Sequence, residues 1–537
     1  MPCIAPQRPT FEPRGAAMRR LPGLACAAAL ATAAGPAWAE LTAEEVWQGW
    51  QDLAAGSGQR LVAASSDRDG DTLTARGVTL AGTGDGTTLL VELDEIAFTE
   101  TGDGTVAVRM SDAYDIVLEG GFESLLRLGV SHPGLRLEVS QVGQGLRHDL
   151  SAPEIAVQLQ ELSGPETADH AEVSLSALRV TGHYEVTRDA QGTTIAEIEA
   201  GALDLDMSLR DADDALDLDF AATGVGLSFL GAALESGGAQ IGMGDMAGAL
   251  ARGFALQFGL DFETQRYAVL SVEEGEATSV EGRSTNGRTR FSLDGQEVSF
   301  STSSRNGEIT MPAEVLVPAL AEGLGAAGLP AGTDMDETLT LRAGEIAYGA
   351  SMPTGGSPEA QGATLLLRLM EVTAPEAVWT MIDPSGLVPR TPLTAVLDLT
   401  AQMVLPDDLF GMGTALGFMM GGPFEVVQPT ALDIRELALR FGGAELTGGG
   451  AFLLDATDLE TFDGLPRPEG ALNLTLRGSD TLIETMVEAG LLPPDQANAA
   501  RLLIALLGQP GEAPGELVST IEIDEAGAVR TNGMRVR

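Results

Sequence analysis

Hydrophobic and polar positions change period along this chain, and the change separates a short helical start from a long β-rich body. From Thr42, the apolar residues Val46, Trp47, Trp50 and Leu53 recur at helical spacing. Thr42 and Glu45 stand three apart as a capping box and Gly56 offers a stop, so a helix is expected there. Two of the four tryptophans sit on it, which predicts firm docking on the body. From about Leu61 the period falls to two. Leu89, Val91 and Leu93 alternate with polar residues, as do Ile96 and Phe98, then Val106, Val108 and Met110, then Ile116 and Leu118. Thr83–Thr87 and Thr101–Thr105 both read Thr-Gly-Asp-Gly-Thr, and Asp-Gly between alternating runs marks hairpins. Alternation of this kind implies antiparallel strands with one face in water.

The β pattern continues through Ile155–Leu159, Val173–Val180, Leu203–Leu209, Leu216–Phe220, Tyr267–Val272, Phe291–Phe300, Leu339–Ile346, Leu365–Leu369, Val396–Leu399 and Leu432–Leu439. Helical or irregular apolar stretches interrupt it near Leu230–Leu256, Ala313–Leu324 and Leu409–Met420. Near the end, Ser479-Asp480 can cap a helix running to Ala489, and Pro493-Pro494 open a second that Gly508 stops. A last hairpin turns at Asp524–Gly527. The expected fold is therefore α+β, dominated by large curved antiparallel β-sheets with short helices and a C-terminal helical pair. Glycine-rich joints at Gly237–Gly248 and Ser351–Gly362 suggest two β-rich domains, 40–350 with the N-terminal helix and 351–537 with the helical pair.

Residues 1–39 are of another kind. Arg19-Arg20, the apolar run Leu21–Ala34 and Ala37-Trp38-Ala39 have the three parts of a secretory signal peptide cleaved after Ala39. Met18 stands directly before the arginine pair as a second candidate start. The expected location is the periplasm. Cys3 and Cys26 both precede the cut, so the mature chain has no thiol and no disulfide. Every one of the 31 basic residues is arginine, and cleavage takes the formal charge from −47 to −50. That charge opposes binding to nucleic acid and to anionic headgroups. No run after Glu40 is long and apolar enough to span a membrane as a helix.

Much chemistry is excluded. Without lysine there is no Schiff base and no P-loop, and without mature cysteine no thiol nucleophile or thiolate zinc site. His132, His148, His170 and His183 gather in one stretch but show no ligand spacing. The sharpest constellation is acidic. Asp204 and Asp206 alternate with leucines, as do Asp217 and Asp219, and an even-length hairpin loop between them puts all four carboxylates on one face. Like charges opposite one another destabilise a sheet, so water, nearby arginine or bound Ca²⁺ or Mg²⁺ must offset them. A second candidate is apolar: Phe410, Met412, Phe418, Met419 and Met420 lie among glycines, a composition suited either to lipid contact or to an ordinary buried helix.

Trp379-Thr380-Met381-Ile382-Asp383-Pro384, then Leu387-Val388-Pro389-Arg390-Thr391-Pro392, resemble a segment of the domain-of-unknown-function family numbered 2125, a group of exported alphaproteobacterial proteins. Gly478, Leu482-Ile483, Ala489–Pro493 and Asn532-Gly533 are similar too. There is a looser similarity to AsmA-like envelope proteins, whose long sheets are linked to outer-membrane lipid homeostasis; this chain departs from them in lacking a membrane anchor. The resemblance implies no catalytic residue. The motif suits rigid turns, with Arg390 able to pair with an acid. The expected function is a non-enzymatic envelope protein that handles lipid. A cation-stabilised acidic scaffold for protein interaction is the alternative, and an exported hydrolase using aspartate or histidine comes third. An apolar groove open to solvent would favour the first, and a solid sandwich core would defeat it.

Overall fold

The structure is a computed structural model that describes residues 40–84, 86–120, 124–164, 167–187, 193–232, 246–316, 337–420 and 426–537. The expected signal segment and both cysteines lie outside them, as do most of the Gly237–Gly248 joint and residues 317–324. Leu41–Arg537 form one unit built on a single antiparallel sheet, with twenty-four strands among the described residues. Nearly every strand pairs with the next in sequence. The exceptions lie near the start and at Arg467–Arg477, which skips the short strand Gln509–Pro510. Near the start, Val106–Met110 and Ala113–Glu119 share one flank of Thr87–Glu100, and Leu125–Ser131 and Arg136–Val142 share one flank of Gly145–Ser163. From Gly145–Ser163 onward the sheet is a meander of long strands as far as Arg467–Arg477, which pairs with Glu516–Ile523. The 350/351 position falls in the strand Thr338–Pro353, which is hydrogen-bonded to Ser357–Val372 through Ala350 and Leu365.

The strands are about twice as long as the alternating runs suggest, and the reason is a seam. The pairing is interrupted at Pro153 and Arg179, at Gly201 and Gly224, at Glu263 and Asn286, and at Gly344 and Glu371. The register carries each of these positions onto the next, so they form one line across the strands. Along it, Arg179, Gly224, Asn286, Asn306 and Glu371 have φ between 49° and 57°, and Gly77 has φ 59° at a matching gap near the N-terminus. A residue in this conformation reverses the alternation of side chains. Thus Phe220 and Ala222 before Gly224, and Val225 after it, all belong to one apolar cluster. Ala152, Val180 and Ala200 line the same cluster, with Leu203 on one flank of the seam and Ile198 on the other. Small buried side chains mark the line because large ones from both flanks close over them.

Other expectations are corrected locally. Phe291–Phe300 is not one strand: Asp294 Oδ1 accepts from the backbone N–H groups of Gln296 and Glu297 and makes a turn between Glu276–Leu293 and Glu297–Pro312. The helix Ser479–Glu488 is entered through Gly478, at φ 71°, and Ser479 is buried rather than capping. Its partner Pro494–Leu507 and the closing hairpin lie where the sequence puts them.

A β-branched side chain cannot adopt the conformation of Gly224 without strain, and a Cβ there would also meet the Glu263 side chain at 2.4 Å. Gly224→Val is expected to lower stability by about 2 kcal/mol in urea denaturation, whereas Asn286→Gly, at a similar φ, is expected to change it little.

Candidate functional site

Because the seam restores the phase of every strand it crosses, one face of the sheet is apolar on both sides of it. The register places Leu227, Leu260, Thr289, Thr302, Tyr348, Leu367, Leu397 and Leu437 side by side. One step toward the nearer strand ends, Phe229, Phe258, Phe291 and Phe300 stand opposite one another on adjacent strands, followed by Ala350, Leu365 and Leu399. Between the seam and those strand ends, this face carries no charged residue from Ala215–Ala232 to Leu393–Leu405. The width from Leu227 to Leu437 is roughly 35 Å at the usual strand spacing.

Among the described residues, no second layer covers these side chains. Phe229, Phe258 and Phe300 are 39, 40 and 39 % exposed, and Tyr348, Leu365 and Leu367 are 48, 45 and 39 % exposed. Glycines set the relief of the face: the rings of Phe262 and Tyr267 lie over Gly287 and Gly282 of the next strand, where a Cβ would come within 1.8 and 2.3 Å of them. Exposed apolar surfaces of this extent are uncommon on folded chains.

The N-terminal end of the face is closed by the helix Ala43–Gly56. Its capping box forms, with Glu45 N–H donating to Thr42 Oγ1 and Thr42 N–H to Glu45 Oε2, and Glu100 accepts from Ala43 N–H at 3.0 Å. Trp47 and Trp50 pack on Phe98 with ring centroids 5.8 and 5.3 Å away. Leu53, expected on the same face, is exposed, and Ala54 is buried instead. Trp50 Nε1–H donates to His148 Nε2 at 2.9 Å, and the imidazole stacks on Tyr184 at 4.1 Å. His148 is 1 % exposed. Burial lowers its pKa to about 4, so it is the neutral acceptor that the indole needs.

Arg390 finds its acid in Asp383. The buried Asp383 carboxylate accepts from Val388 N–H and Arg390 Nη1, both at 2.7 Å, and from the Ser385 hydroxyl. The guanidinium lies 4.8 Å from the Trp379 ring, which stacks on Phe441. Burial works to raise the Asp383 pKa, but these hydrogen bonds outweigh it and hold the carboxyl at about 2. The motif that carries the resemblance is therefore a structural knot beside the helix Glu376–Ile382.

The acidic hairpin has its four carboxylates on the opposite, polar face, with Asp206 directly across from Asp219 and Ser208 across from Asp217. Arginine supplies much of the offset. Arg210 reaches both oxygens of Asp217 at 3.0 Å, Arg266 lies 3.0 Å from Asp219, and Ser174 donates to Asp206. Asp204 stands opposite Ala221. Among the described residues, no three histidine, cysteine, aspartate or glutamate side chains gather as a metal site would require. Of the four histidines, His132 and His148 are buried, and His170 pairs with Glu172 at 3.1 Å.

Met412–Met420 is a helix on the same strand ends toward which the phenylalanine row lies. Phe410 and Met412 are exposed, at 36 and 71 %. The side chains of Phe418, Met419 and Met420 lie outside what is described. No helix among the described residues is long and apolar enough to cross a membrane.

Residues 286–536 match the family model described as "Uncharacterized protein conserved in bacteria (DUF2125)". The match supports the family resemblance over that part of the chain. It begins at Asn286 on the seam and takes in the Asp383–Arg390 knot together with Phe300, Tyr348, Leu365 and Leu367. Neither the curated proteins nor the solved structures contain a match to the chain.

The exposed residues of the apolar face were absent from the sequence-derived candidates. Their alternation was visible; their alignment across strands was not, because it depends on register.

Two outcomes follow from these environments. His148 has a lower pKa folded than the ordinary 6.5, so the unfolded chain takes up the proton first. Its stabilising effect, on the order of 3 kcal/mol, is complete above pH 6.5 and is lost as the pH falls toward 4. His148→Phe should remove that part of the pH dependence of urea unfolding followed by tryptophan fluorescence. Calcium added to chelator-treated protein should leave the melting temperature unchanged, because arginines already face Asp217 and Asp219.

Proposed function

We propose that this chain is a non-enzymatic periplasmic envelope protein that holds lipid, or another apolar envelope component, against the open face of its sheet. The observation that carries this reading is an uncharged face in the middle of a well-paired sheet on which Leu227, Phe229, Phe258, Phe300, Leu365 and Leu367 are each exposed by about two-fifths. Exposing so much apolar surface costs on the order of 25 cal/mol per Å² relative to covering it, which an acyl chain would recover. The export signal expected at residues 1–39 supports a setting in which lipids must cross an aqueous compartment. The Met412–Met420 helix, with Phe410 and Met412 exposed on the adjoining strand ends, fits a mobile apolar ligand better than a rigid one.

The test is native mass spectrometry and lipid extraction of protein purified from the periplasm. Co-purifying lipid is expected. Its amount should fall several-fold in a Phe229→Asp, Leu365→Asp double variant whose circular dichroism matches the parent. Lipid-free parent protein, or equal lipid in parent and variant, would defeat the proposal.

A further inference from the structure

The placement of charge around the face says which lipid it takes. Every large apolar side chain of the face exposed by more than a third from Leu227 to Leu367 lies between the seam and one set of strand ends, those at Ala232, Ala255, Leu293, Glu297, Pro353 and Ser357. From the seam at Gly224 to Ala232 is a half-strand of roughly 25 Å. An acyl chain fills half of a bilayer core, about 15 Å, so a lipid whose chains lie along these half-strands has its headgroup in water at the strand ends.

Among the described residues those ends carry one arginine, Arg252, which already has a partner, and an excess of carboxylates. Glu297 and Glu359 stand at the starts of their strands, and Asp407 and Asp408 follow Leu405 just before the Met412–Met420 helix. All four are exposed, and among the described residues none of them forms an ion pair. Elsewhere arginines are spent between strands: Arg288 and Arg290 on Asp261, Arg283 and Arg342 on Glu308, Arg435 on Asp398. The formal charge of −47 adds a background of the same sign. A phosphate headgroup without a compensating cation would be repelled there, whereas an ammonium group would be attracted.

Resting on the lipid reading above, we infer that the ligand is a diacyl lipid with a zwitterionic, amine-bearing headgroup, and that the acidic strand ends exclude anionic lipids. The probes are vesicles of phosphatidylcholine and of phosphatidylglycerol with matched acyl chains, each incubated with delipidated mature protein. After the protein is separated from the vesicles, bound lipid is counted by native mass spectrometry.

At low ionic strength the zwitterionic lipid should load on the order of fivefold more than the anionic one, and high salt should shrink that ratio toward one. A Glu297→Arg, Glu359→Arg, Asp407→Arg variant should load phosphatidylglycerol better than the parent does. Equal loading of the two lipids at low salt would overturn the headgroup inference and leave the apolar-face reading standing. Loading of neither would defeat both. The salt series on the parent protein keeps the test informative should the triple variant fail to fold.

Discussion

Everything in this sheet depends on keeping one face apolar along strands whose apolar positions switch parity part-way. Side chains on a strand alternate with period two, so one residue with reversed handedness moves every later side chain to the other face. Here the break falls at matching positions across the strands: Arg179, Gly224, Asn286 and Glu371 take positive φ, and the strands between them meet the line at Gly201, Glu263 and Gly344. A single such residue would cost stability and spoil the face. Aligned across the sheet, the reversals cancel between neighbours: Phe220, Ala222 and Val225 stay in one cluster, and cross-strand partners remain matched on both sides. The strain of the non-glycine residues is supported by what lies opposite them. Arg179 occupies the space that a side chain on Gly201 would fill, and Glu371 approaches Gly344 in the same way.

The two faces are held to different rules. On the polar face, carboxylates of different strands are bridged by arginines that each reach two of them: Arg147 between Asp149 and Glu185, Arg368 between Glu345 and Glu436, Arg477 between Glu445 and Glu516. A planar guanidinium with several donors suits this role better than an ammonium, in keeping with a chain whose basic residues are all arginine. On the open stretch of the apolar face there are no such pairs among the described residues. The open stretch is bounded by the N-terminal helix with Trp47 and Trp50, and the closures use opposite electrostatics. His148 beneath Trp50 must stay neutral, whereas Asp383 beneath Arg390 must stay charged. Both lose stability in acid, His148 by gaining a charge and Asp383 by losing one.

Much of the local structure was legible from residues alone. The capping box at Thr42 and Glu45, the Pro494 start and Gly508 stop of the last helix, and the final hairpin depend on contacts within a few residues. So does the shared face of Asp204, Asp206, Asp217 and Asp219, since the parity of a short loop sets it. Strand lengths were not legible. The run at Leu203–Leu209 ends where alternation breaks, and nothing local shows that the strand Thr193–Arg210 continues on the far side with its phase reversed.

What the sequence determined by itself was the class of the molecule: antiparallel, amphipathic and strongly acidic. Periodicity, capping and net charge are sums over neighbours in the chain. What only the tertiary structure decided was where the apolar side chains meet and whether anything covers them. Phe229, Phe258, Phe291 and Phe300 lie far apart in sequence, and the register of intervening strands brings them into one row. Phe229, Phe258 and Phe300 are exposed because no opposing layer lies over that row among the described residues. Register and coverage are set by hydrogen bonds and packing between distant segments, and no pattern along a single strand encodes them.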